Sequence, residues 1–153
     1  MFYFAYCTLL DIEETRKYCP TARPAGVMRL PGYRVGFATY SPNPSEGGCT
    51  LEKAPGKDLY GVLYEVAEEE MRTLDRASGV EKNYWTRIAI VLINGRDESV
   101  PAETYMIPRP FGPYHPPKSY TRPILTGARA FHLPEDYIAE LERIIKSTET
   151  NPD

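Results

Sequence analysis

The chain opens with an unbroken apolar run, Phe2-Tyr3-Phe4-Ala5-Tyr6, that passes through Cys7-Thr8-Leu9-Leu10 into the polar Asp11. Its length and aromatic content predict a buried strand, followed by a strand-to-loop-to-helix corner. Asp11 and Glu14 have capping-box spacing, so a short helix is expected over 12–18, stopped by Pro20. Residues 25–30 and 33–39 are β-leaning runs split by Pro31-Gly32, which reads as a tight hairpin. Pro42, Pro44, Gly47 and Gly48 make 40–48 a loop, of the kind that often walls a pocket. Strands follow at 49–52 and 59–66 around a Pro55-Gly56 turn. In the second, Tyr60, Val62, Tyr64 and Val66 alternate as the apolar face.

The pattern then changes period. Ala67, Met71, Leu74 and Ser78 recur at helical spacing, which predicts a helix over 68–78, puts Ser78 on its inward stripe and lets Gly79 close it in a left-handed cap. A long strand over 84–93 should turn at Asn94-Gly95 into a return strand over 101–107. The proline-rich 108–117 reads as a stiff extended loop. A helix over 120–130 tolerates Pro123 near its first turn. A last helix begins at Pro134 and turns Ile138, Leu141 and Ile145 to the core. Residues 147–153 are polar and expected to fray, leaving one domain over 1–146. No internal repeat is visible.

Composition narrows the partners. At 153 residues the chain can bury one proper core, and a net charge of -3 offers no basic surplus for nucleic acid. No apolar run approaches the roughly 20 residues that span a bilayer, and the start does not read as a secretory signal, so a cytoplasmic chain without a membrane partner is expected. Cys7, Cys19 and Cys49 are an odd, scattered set without paired spacing, which favours a reducing compartment over a disulfide frame or a zinc site. His115 and His132 lie far apart, so neither a metal nor another cofactor is expected. The first corner is the natural place for a ligand, because backbone N–H groups released at a strand end beside a following helix can hold a carboxylate or phosphate.

An ordered set of short motifs resembles the γ-glutamylcyclotransferase-like, or AIG2-like, family. It runs from Phe4-Ala5-Tyr6 and Cys19-Pro20-Thr21-Ala22 through Gly47-Gly48 with Thr50-Leu51, and Pro55-Gly56 before Tyr60-Gly61-Val62. It continues with Leu74-Asp75, Gly79-Val80, Tyr84, Tyr120, Gly127-Ala128 and Leu133-Pro134. The resemblance implies an α+β fold, a small mixed β-barrel surrounded by a few helices. It also implies an activity: a Tyr-Gly-Ser-Asn-Leu loop after the first strand holds a glutamyl group through backbone amides. A glutamate just before the helix-closing glycine then frees the α-amine to attack the γ-carbonyl, giving 5-oxoproline. An ammonium is not a nucleophile, so that proton must be removed.

At the matching positions Tyr6 and Leu10 agree with the family, Thr8 is a mild change, Cys7 stands for glycine, Leu9 for asparagine and Ser78 for the glutamate. Leu9 removes an amide donor and acceptor and favours apolar ligand surface. The expected ligand-binding set is Tyr6, Cys7, Thr8, Leu9, Leu10, Tyr84 and Tyr120, with Trp85 or Tyr114 beside them and Ser78 facing the same cavity. Glu46, Asp75 and Glu81 are the carboxylates able to replace the base, with Glu46 foremost because its loop walls the pocket. Cys7 is a further candidate, as a nucleophile with His115 as its base. The resulting expectation is a small-molecule-binding protein with altered or lost cyclotransferase chemistry. A non-catalytic interaction domain and an active cyclotransferase with a relocated base are the alternatives.

Overall fold

The opening apolar run folds as β1 (Phe2–Ala5), with Phe4 and Ala5 fully buried. The computed structural model describes residues 1–149, in which β1 leads through a 3-10 turn at Thr8–Leu10 into α1 (Ile12–Thr15). Asp11 caps α1 by accepting the Glu13 N–H at 3.1 Å, which satisfies one of the orphan donors of the first turn. The helix stops short of the expected 12–18. At its end Thr15 is fully buried and donates its hydroxyl to the Leu9 carbonyl at 2.6 Å, tying the helix back to the preceding loop.

Two pairs of expected strands are each a single strand. β2 (Arg23–Thr39) runs through Pro31-Gly32, and β3 (Gly47–Glu65) runs through Pro55-Gly56. They pair antiparallel from Arg23↔Glu65 to Thr39↔Gly47, with a register shift between Pro31 and Tyr33. Gly32 and Gly56 both take φ of +83° inside the shifted part of this ladder. A positive φ serves a bulge as well as a turn, and the missing proline N–H costs nothing where the ladder is already interrupted. The chain reverses instead through the 40–46 loop.

β4 (Thr86–Ile93) and β5 (Ser99–Met106) form the hairpin expected at Asn94-Gly95. Asn94 Oδ1 organises its turn by accepting the Arg96 and Glu98 N–H groups at 2.9 and 3.0 Å. The strands close into a barrel in the order β1-β3-β2-β4-β5, with β1 parallel to β5 at Tyr3↔Glu103. The mixed barrel is thus the fold the chain adopts. Around it lie α2 (Glu68–Ala77), α3 (Lys118–Ala130) and α4 (Glu135–Thr148). Gly79 closes α2 in the left-handed conformation, φ +65°. α4 continues through Thr148, past the expected boundary at 146, because Ile145 on its last turn is still buried; 150–153 of the expected frayed tail lie outside the described residues.

One buried carboxylate fastens α2 to the segment before β2. Glu70 accepts the Thr21 N–H at 2.8 Å, the Thr21 hydroxyl at 2.7 Å and the Ala67 N–H at 2.9 Å. Burial pushes its pKa up, but these hydrogen bonds outweigh burial and hold it below its ordinary value. A lowered carboxyl stabilises the fold above its unfolded pKa, and that contribution is lost as pH falls through the folded one. Glu70→Gln is expected to cost about 2 kcal/mol in urea unfolding at neutral pH. The gap to the parent should close as the pH drops below the ordinary value of 4.5.

Candidate functional site

A cavity of about 180 Å³ opens where β1, the 3-10 turn and the end of α2 meet. Tyr3 and Tyr6 of the first strand region, Cys7, Thr8 and Leu9 of the turn, and Ser78 at the end of α2 form one side of it. Cys49 from β3, Trp85, Tyr105 from β5 and Tyr120 from α3 form the other. The turn is held in place from behind: Thr15 binds the Leu9 carbonyl, and the Tyr64 hydroxyl donates to the Leu10 carbonyl at 3.3 Å. Gly127 of α3 packs so closely that an added Cβ would stand 2.1 Å from the Leu10 carbonyl carbon.

The structure brings Tyr6, Cys7, Thr8, Leu9, Tyr120 and Ser78 together on this lining. Two expected members lie elsewhere. Leu10 is fully buried in the core cluster, because the 3-10 turn carries it beneath the turn. Tyr84 precedes β4 and packs on the Tyr40 ring, with centroids 4.4 Å apart, and against Gly79. Trp85, the next residue, takes the cavity place and donates its indole N–H to the Cys49 carbonyl at 2.9 Å. Tyr114 supports Tyr120 edge-on at 5.8 Å. Tyr105 was not foreseen. The alternation of β5 defines two faces but does not say which one meets a cavity formed by distant segments.

Burial keeps the phenols neutral. Tyr3, Tyr6, Tyr105 and Tyr120 all have pKa values pushed well above the ordinary tyrosine value, in each case first by burial. At Tyr105 a hydrogen bond to Asp75 adds to the effect. Tyr6 donates to the Tyr105 carbonyl at 2.7 Å, Tyr105 donates to Asp75, and Asp75 pairs with Arg87 at 3.0 Å. Among the described residues the cavity lining contains no aspartate, glutamate or histidine. Asp75 stands behind Tyr105. Glu46 lies outside the lining and accepts the Ser41 hydroxyl at 2.6 Å, while Glu81 is exposed in the 3-10 turn after Gly79. No group of metal-ligating side chains gathers among the described residues.

The cysteines differ from expectation. Cys7 and Cys49, with a sequence separation of 42, form a disulfide with Cα atoms 6.3 Å apart. Cys7 lies just past β1 and Cys49 near the start of β3, and closure of the barrel brings them together, which local spacing does not reveal. The bond removes Cys7 as a free nucleophile, and His115 places Nδ1 3.1 Å from the Thr148 carbonyl. Cys19 is the free thiol, fully buried.

With this geometry the relationship to known proteins is specific. A profile of the AIG2-like family matches residues 58–141. The chain is 25% identical over 146 residues to the γ-glutamylcyclotransferase of Mus musculus, covering 93% of this chain and 77% of that protein. Identity and coverage are the same for the Bos taurus γ-glutamylcyclotransferase. A solved structure described as a γ-glutamyl cyclotransferase superposes with a TM-score of 0.87 at 23% identity, covering 100% of this chain and 90% of that one. The matched segment runs from the second half of β3 into α4 and contains Ser78, Tyr105 and Tyr120, so this chain belongs to the AIG2-like family.

Proposed function

We propose that this is a divergent γ-glutamylcyclotransferase-like protein that binds a small molecule between the Tyr6–Leu10 segment and Ser78, with altered or lost 5-oxoproline-forming chemistry. One observation carries the reading: Ser78 faces a cavity whose described lining has no carboxylate. A serine hydroxyl cannot take a proton from an ammonium unless another base assists it. Leu9 and the surrounding rings supply apolar surface where a glutamyl zwitterion needs polar partners. The same reasoning makes the ligand small, neutral and partly aromatic or aliphatic.

The test is 5-oxoproline release from γ-glutamyl-alanine and from glutathione, followed by chromatography. Release is expected to be undetectable. Robust turnover would favour the second reading, a relocated base, which the Tyr105–Asp75 hydrogen bond supports because a proton accepted at Tyr105 Oη can be passed to Asp75. In that event Asp75→Asn should abolish turnover, with Glu46→Ala and Glu81→Ala as controls. The proposed compartment is the cytoplasm. The Cys7–Cys49 bond weighs against it, and recovery of the bulk of the protein from a secreted fraction would overturn it.

A further inference from the structure

We propose that Cys7 and Cys49 form a thiol–disulfide exchange site for a low-molecular-weight thiol that enters the cavity. Both cysteines belong to the cavity wall, whereas a bond that only staples a fold needs no ligand-sized space beside it. Cys7 is half-buried and Cys49 is buried, so the two sulfurs differ in access. Cys19, fully buried and with its pKa pushed up to about 11 by burial and then by Glu70, is an inert internal contrast.

One hydrogen-bond donor stands beside the pair. The Tyr120 hydroxyl accepts the Cys49 N–H at 3.0 Å and lies 3.8 Å from Cys7 Sγ. A sulfur in a disulfide carries no proton, so in this contact Tyr120 is the donor. Burial keeps that phenol protonated. Trp85 fixes the Cys49 carbonyl from the opposite side at 2.9 Å, so the residue that must leave and return is held on both of its backbone polar groups.

The exchange has two steps. An incoming thiolate attacks Cys7 Sγ, the Cys7–Cys49 bond breaks, and its electron pair leaves on Cys49 Sγ, which takes a proton from water. The product is a mixed disulfide on Cys7. A second thiolate attacks the small molecule's sulfur in that mixed disulfide, releasing the small-molecule disulfide and a Cys7 thiolate that the Tyr120 hydroxyl stabilises. One protein disulfide and two thiols thus become two protein thiols and one small disulfide. The sequence also runs in reverse.

The experiment incubates the full chain with millimolar cysteamine well below its melting temperature, quenches in acid, and reads intact mass and peptide maps. Native protein is expected to lose the Cys7–Cys49 bond faster than it unfolds globally, as measured by hydrogen exchange. Cys49→Ser, incubated instead with cystamine, the disulfide of cysteamine, should accumulate the cysteamine adduct on Cys7 with release of one cysteamine, and none on Cys19. Tyr120→Phe should slow the second step by about fivefold, with the melting temperature recorded alongside. A thiol carried on a dextran polymer should react about tenfold more slowly than cysteamine, because it cannot enter the cavity. Reduction that only tracks global unfolding would overturn the proposal, whether or not Cys49→Ser folds. Equal rates for cysteamine and the dextran thiol would also overturn it, by marking an ordinary surface bond.

Discussion

Ser78→Glu alone is expected to leave 5-oxoproline release undetectable, whereas Ser78→Glu combined with Cys7→Gly and Leu9→Asn should raise release by about 100-fold or more over the Cys7→Gly, Leu9→Asn pair. The single change supplies a carboxylate at the end of α2, on the wall of the cavity. It leaves Leu9, which cannot make the hydrogen bonds of an amide, and it leaves a Cys7 side chain in the space a ligand would use to reach the turn backbone. Asparagine at position 9 removes the first obstacle and glycine at position 7 the second. All variants belong in the same reducing buffer, so that the parent and the Cys7→Gly forms are compared without the disulfide.

A glutamate placed among neutral tyrosines without a partner can cost a few kcal/mol. Melting temperatures therefore have to be compared before activity is read. Strong activity from Ser78→Glu alone would contradict an altered ligand and make a cyclotransferase that has lost only its base the better account. Activity in neither variant, with both folded, would show that the cavity has moved further from γ-glutamyl chemistry than these three positions.

Much of the frame was legible because its signals are local. The Gly79 cap, the Asn94-Gly95 hairpin and the helical stripe ending at Ser78 each depend on neighbours within a few residues, and each is present. The Pro-Gly pairs were ambiguous for a physical reason. A residue at positive φ suits a turn and a bulge equally, and only the pairing of β2 with β3 along their whole length decides between them. Part of the cavity was legible through the family motifs, Tyr120 and Trp85 on its opposite wall included, but Tyr105 and Cys49 were not. These two arrive there through barrel closure, and neither the Cys7–Cys49 bond nor the Tyr105–Asp75 hydrogen bond has a trace in local spacing. Leu9 and Leu10 show the finest limit. They are chemically identical neighbours, and the 3-10 turn sends one to the cavity and the other to the core.

Gly127→Ala is expected to produce the largest loss of stability of any single methyl added to the protein near its site, about 3 kcal/mol, or roughly 6–12 °C in melting temperature. The added Cβ would meet the Leu10 carbonyl carbon at 2.1 Å, its oxygen at 2.3 Å and the Asp11 nitrogen at 2.4 Å, all backbone atoms. No side-chain rotation can relieve such a clash, so α3 or the turn must move. Either movement acts on the cavity, because α3 carries Tyr120, whose hydroxyl holds the Cys49 N–H, and the turn carries Cys7, Thr8 and Leu9. Gly32→Ala is the matched control. Its Cβ would meet nothing within 4 Å, so any cost comes from its φ of +83° alone and should remain near 1 kcal/mol. Unfolding in urea measures both. A cost for Gly127→Ala no larger than that of the control would mean that α3 is free to shift on the turn, and that the close approach of Gly127 does not hold the cavity wall in place.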